Sequence, residues 1–172
     1  MSDRQEKKAQ FAQNKKRGFL PWIVIVLVVV AAAATLGWNA VGGNDGKYPL
    51  VKGTNGKITI PESRVSDGKA HYFSYENGED PIDFFILKSH DGVIRAAFDT
   101  CDVCYKEKKG YRQEGDFMVC NNCDQKFRSD MINQVKGGCN PAPLNRLITN
   151  GQLVIAEADL VQGAKYFQVA GE

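Results

Sequence analysis

The chain has 172 residues, with 22 Lys+Arg against 20 Asp+Glu and a formal net charge of +2. Apolar residues make up 43% and charged residues 24%, which excludes a wholly disordered chain, and the small net charge gives no case for nucleic-acid binding. The charge is also segregated: residues 1–17 hold six basic and two acidic side chains, which leaves 16 basic against 18 acidic and about −2 for the rest.

Residues 1–17 are polar and Lys-rich, and nothing in them builds a core. From Gly18 to Trp38 run 21 residues without a charge, with Pro21 in the first turn and Trp22 and Trp38 near the ends. As a helix this stretch spans roughly 30 Å, the thickness of a bilayer's hydrocarbon core. The segment reads as an anchor over residues 18–41, with interfacial tryptophans and a preceding cationic cluster that places the tail 1–17 in the cytoplasm. A cleaved signal peptide is the competing reading, since the Ala31–Ala34 run offers small residues. Residues 42–47 read as a linker, and residues 48–172 as an exported domain.

This domain reads as mostly β or α+β. Asn55-Gly56, Asp67-Gly68, Asn77-Gly78, Asp91-Gly92 and Asn150-Gly151 punctuate it with turns. Between them, Lys57–Ile60, Ala70–Tyr75, Ile82–Lys88, Val93–Phe98, Asp116–Val119 and Leu153–Ala156 read as strands, and Asp91-Gly92 as the turn of a hairpin. Ser129–Val135 reads as a short helix with Ser129 at its N-cap.

Five cysteines fall within 39 positions. Cys101, Cys104, Cys120 and Cys123 form C-x2-C-x15-C-x2-C, a spacing that suits a four-thiolate metal site of the rubredoxin or zinc-ribbon kind. Each pair makes a knuckle aiming two sulfurs at one point, and a 15-residue hairpin brings the second knuckle opposite the first. Zinc, iron, an iron–sulfur cluster and copper(I) all accept such sulfurs. Disulfides are the alternative, because the domain is expected outside the cytoplasm. Cys139, in Gly137-Gly138-Cys139-Asn140-Pro141, is the remainder: a ligand to a second metal, a redox thiol, or a buried inert cysteine. Lys106, Lys108, Lys109 and Arg112, between the pairs, read as a solvated hairpin face that could also balance a thiolate centre or dock an acidic partner. His71 and His90 read as packed or solvated side chains, and Met118 and Met131 as core residues rather than soft ligands.

Neither C-x-x-C pair lies in a βαβ pattern, which speaks against a thiol–disulfide oxidoreductase. No phosphate loop, Ser/His/Asp order or carboxylate pair suggests a hydrolase. The chain therefore reads as a metal or electron carrier rather than an enzyme with a small-molecule substrate.

Several stretches resemble the FtrD-like family of membrane iron–sulfur proteins. They are Ile60-Pro61, Val65–Ala70, Asp91–Asp99, Cys101–Cys104, Lys109–Tyr111, Val119–Cys123 and Gly137–Pro141, spread over about residues 50–160. The resemblance implies an iron–sulfur or iron centre on a membrane protein. It further implies electron transfer linked to iron uptake, beside an iron permease and periplasmic metal-binding proteins. Many family members carry several membrane spans, whereas one is expected here. The tail carries Lys15-Lys16-Arg17 and no twin-arginine signal, so export is expected to be unfolded. That counts against a cluster assembled in the cytoplasm and toward zinc or copper.

Overall fold

The computed structural model describes residues 41–42, 47–78 and 80–168. The expected tail 1–17 and all of the expected anchor 18–41 but Val41 lie outside the described residues. Among the described residues no helix is long and apolar enough to cross a membrane.

Eleven strands and one short α-helix make up the described part, a mostly-β domain. The strands are β1 (Val41–Gly42), β2 (Leu50–Val51), β3 (Lys57–Pro61), β4 (His71–Tyr75), β5 (Ile82–Lys88) and β6 (Ile94–Phe98). They continue with β7 (Tyr111–Glu114), β8 (Phe117–Cys120), β9 (Lys126–Arg128), β10 (Leu147–Thr149) and β11 (Gln152–Ala156), and α1 (Glu157–Gln162) comes directly after. A five-stranded sheet runs β1-β2-β4-β5-β6, and two three-stranded sheets run β10-β11-β3 and β7-β8-β9. Only β2 and β4 pair in parallel among these strands.

The strand β5 explains the layering. Its sequence Ile-Asp-Phe-Phe-Ile-Leu-Lys is apolar on both faces, because both faces are covered. Phe84 and Ile86 enter one core with Ile58, Ile60, Leu153, Ile155 and Leu160. Phe85 and Leu87 enter a second core with Ala97, Cys101, Tyr111, Met118, Cys120 and Ile132. The small sheet β10-β11-β3 and α1 thus back the large sheet on one side, and β7-β8-β9 backs it on the other. On β3 the pattern alternates, with Ile58 and Ile60 buried and their neighbours exposed, as a strand covered on one face requires.

The six expected strands are present, each within one or two residues of its expected ends. The Asp91-Gly92 hairpin joins β5 and β6, with Lys88 opposite Ile94. Gly92 has φ +80°, and the Asp91 carboxylate accepts from the Val93 N–H and the Ser89 hydroxyl. The helix expected over Ser129–Val135 does not form. A single 3₁₀ turn spans Ser129–Met131, and Arg128 rather than Ser129 precedes it as cap. Ile132 is extended, with ψ 137°, and Asn133 has φ +66°. This turns the Asn133 amide onto β6, where its Oδ1 accepts from the Ala96 N–H and its Nδ2 donates to the Ala96 carbonyl. Two bonds to a sheet edge outweigh one helical turn.

Candidate metal centre

The first pair of cysteines leaves the end of β6. Asp99 and Thr100 are buried there, and the Asp99 carboxylate ties the start of the knuckle to β7 and to the segment ahead of β2. Its Oδ1 accepts from the Tyr111 N–H at 2.7 Å, and its Oδ2 accepts from Lys47 Nζ at 2.9 Å and the Tyr48 hydroxyl at 2.8 Å. Burial pushes the Asp99 carboxyl upward, and these donors oppose that. Gly110 permits the close approach: its φ is +66°, and a Cβ there would lie 2.1 Å from Asp99 Oδ2.

The first knuckle closes when the Cys104 N–H donates to Cys101 Sγ at 3.1 Å. The second begins on β8, whose Cys120 stands opposite Tyr111 of β7. Its turn is held by Asp124, at φ +56°, whose N–H donates to the Cys120 carbonyl. Side chains lace the two knuckle loops together: Lys109 Nζ donates to Asn122 Oδ1, and Asn121 Nδ2 donates to the Lys109 carbonyl.

Cys139 arrives from the far side. Gly137 and Gly138, at φ +86° and +62°, turn the chain, and Asn140 Nδ2 closes the loop onto the Gly137 carbonyl. The next residues pair with the end of β6, the Phe98 N–H donating to Ala142 and the Ala142 N–H to Thr100. The Tyr111 hydroxyl donates to the Cys139 carbonyl at 2.6 Å. The Cys139 sulfur thereby stands 3.9 Å from that of Cys104.

All five thiols are free and gathered in one place. Their sulfurs make two triads that share Cys104, each with all its sulfurs within 4.8 Å of one another. One is Cys101, Cys104 and Cys139; the other is Cys104, Cys120 and Cys123. The two C-x-x-C pairs do not by themselves close into one such set. Cys101 and Cys120 are buried, Cys104 and Cys139 are half-buried, and Cys123 is exposed. Burial pushes the Cys120 thiol up to about 11 and the Cys139 thiol up to about 12, whereas the Gln125 N–H lowers that of Cys123. Phe85, Leu87, Ala97, Met118 and Ile132 make the dry side of the centre.

The cationic run between the pairs is exposed throughout, as a solvated stretch requires, and its members have local partners. Arg112 is taken up by Glu114 and Asp124, Lys108 donates to the Phe167 carbonyl, and Lys106 lies over the Tyr105 ring. His71 pairs with Asp67, and His90 lies 3.6 Å from Asp130; neither joins the cysteines. Met118 is core as expected, but Met131 is 41% exposed, at the end of the 3₁₀ turn. Asp99 and Tyr111 were not expected at the site from sequence. The resemblance covers both positions, Asp99 two before Cys101 and Tyr111 beside Gly110, without giving either a role at the site.

The family model described as "Membrane iron-sulfur containing protein FtrD-like" matches residues 65–167. No curated protein matches the chain. Among solved structures, the apo form of the quaternary ammonium Rieske monooxygenase CntA is similar at 16% identity and a TM-score of 0.38, over 56% of this chain and 31% of that one. The same monooxygenase with its substrate gamma-butyrobetaine gives 16% identity and a TM-score of 0.37, over 56% and 30%. The chain thus spans less than a third of the length of these structures.

Proposed function

Because the chain belongs to the FtrD-like family of membrane iron–sulfur containing proteins, we propose that it is a membrane-anchored iron–sulfur protein carrying electrons for iron or other metal uptake. The observation that carries this reading is the gathering of five thiols, drawn from three separate segments, against one buried sheet face. An all-sulfur donor set suits an iron–sulfur centre, and zinc or copper(I) as well.

Cys101, Cys104, Cys120 and Cys123 would hold the group, which when bound supplies reversible one-electron chemistry. The chain's own residues then do three things. Phe85, Leu87, Ala97, Met118 and Ile132 exclude water from the inner side. Tyr111 ties the Cys139 loop to β7. Cys123 and Val103, which is 62% exposed, bring the outer edge of the centre to the surface, where a partner can approach. The anchor over residues 18–41 would keep the domain beside a membrane partner at high effective concentration. That partner would be an iron permease or a periplasmic metal-binding protein, with the N-terminus cytoplasmic and the domain outside.

A colourless centre holding zinc or copper(I) is the second reading. Its observation is the pair of triads, each of which gathers three sulfurs that a single thiophilic ion accepts. Metal and acid-labile sulfide analysis of the full chain, purified anaerobically in detergent, separates the two. Iron with sulfide and visible absorbance that bleaches with dithionite is the expected result. Zinc or copper alone, without colour, would replace the electron-transfer reading with metal delivery or partner binding.

A further inference from the structure

We propose that the five cysteines form two metal positions joined through the Cys104 sulfur, and that Cys101, Cys104 and Cys139 hold a thiophilic ion of their own. The ligand class is a d10 cation such as zinc or copper(I). This does not rest on the electron-transfer reading: the two assignments share Cys104 and compete for Cys101, which here turns to Cys139 instead of to Cys120 and Cys123.

The first argument is geometric. Three thiolates around one ion at about 2.3 Å place their sulfurs about 4 Å apart. Cys104 and Cys139 are separated by 3.9 Å. Each triad keeps its sulfurs within 4.8 Å of one another, and no set of four sulfurs does. A single tetrahedral ion would have to draw Cys101 toward Cys120 and Cys123, away from Cys139. Two ions keep every sulfur in the group it already forms, because a thiolate has lone pairs enough to bridge two metals.

The second argument is how specifically Cys139 is delivered. Two consecutive positive-φ glycines, the Asn140 side chain and the Tyr111 hydroxyl all act on this one loop. Backbone pairing of Ala142 with Phe98 and Thr100 pins it beside the first knuckle. An inert cysteine needs none of this.

The third is charge. One divalent ion among five thiolates leaves three negative charges in a half-buried site, whereas two leave one. Uncompensated buried charge is costly, so the second ion favours full deprotonation of the set.

The test is titration of the reduced, metal-free full chain in detergent with cadmium-113 alone, followed by thiolate absorbance and cadmium NMR. The wild type is expected to take two ions per chain and give two resonances, mutually coupled through the shared sulfur. Cys139→Ser should take one ion and lose the coupling. Cys123→Ser alters an exposed side chain and should keep the ion of the inner triad, while Cys104→Ser should weaken both positions at least tenfold. Near-UV circular dichroism of each variant checks that the fold is kept. Saturation of the wild type at one ion, two resonances without coupling, or an unchanged count in Cys139→Ser would each overturn the proposal. Failure of the iron–sulfur reading would appear as absent iron and sulfide in the isolated protein and would leave the cadmium count unchanged.

Discussion

Asp99 shows how one side chain sets the conditions for the centre. Three donors converge on it, from Lys47, Tyr48 and the Tyr111 backbone. The lysine is partly exposed, so its ion pair adds little by itself. The Tyr111 N–H is buried with it, and an unpartnered buried donor is what stability cannot spare. Asp99→Ala should therefore cost about 2–3 kcal/mol in urea denaturation, with Asp99→Asn costing less. Gly110→Ala should cost at least as much, about 2–3 kcal/mol, because both its φ of +66° and the Asp99 oxygen oppose a methyl group. A Gly110→Ala protein as stable as the parent would show that β7 can shift away from Asp99. The cysteines were legible at this scale because ligand spacing is local in sequence. Asp99 and Tyr111 were not, since their partners are 12 to 52 positions away.

At the level of elements, the sequence declared those strands whose burial pattern is simple. Lys57–Pro61 alternates, and Ile82–Lys88 is buried nearly throughout. The strands β7 and β9 went unseen because Tyr-Arg-Gln-Glu and Lys-Phe-Arg are mostly polar, each relying on one aromatic residue turned inward. The helix expected over Ser129–Val135 failed because tertiary partners claim its backbone: the Ile132 carbonyl accepts from the buried Arg95, and Asn133 bonds to Ala96. The β5–β6 hairpin offers a pH test of such local chemistry. Hydrogen bonds from Ser89 and Val93, and then Arg95, lower the Asp91 carboxyl to about 2. Its ionised form is thus favoured in the folded state, so its contribution is present above the ordinary carboxylate pKa and is lost as pH falls through about 2. Asp91→Ala should be less stable than the parent at pH 7, and the gap should close on acidification between pH about 4 and about 2. A gap that persists at the acid end would mean that the carboxylate charge has no part in it.

For the whole molecule, the decisive fact is a sheet covered on both faces, with Phe84 and Phe85 as neighbours in opposite cores. Replacing either by Ala should cost about 3–5 kcal/mol. Only Phe85→Ala should also weaken metal binding, since Phe85 packs within 6.2 Å, centroid to centroid, of Tyr111. Equal loss of affinity in both variants, measured by competition with a thiophilic chelator, would show that the two cores respond as one. The second core was the harder part to foresee, because Cys101 and Cys120 belong to it and Cys104 and Cys139 pack against it, and sequence logic assigned the cysteines to chemistry rather than packing. The route of the chain into this fold has a practical edge. Lys47 and Tyr48 stand just ahead of β2, at the end of the expected linker, and both reach back to the carboxylate two positions before Cys101. A trimmed protein starting at Pro49 would keep every strand from β2 onward, yet it would have shed two of the three donors to Asp99, so where the chain is cut ahead of β2 helps to decide which protein is measured.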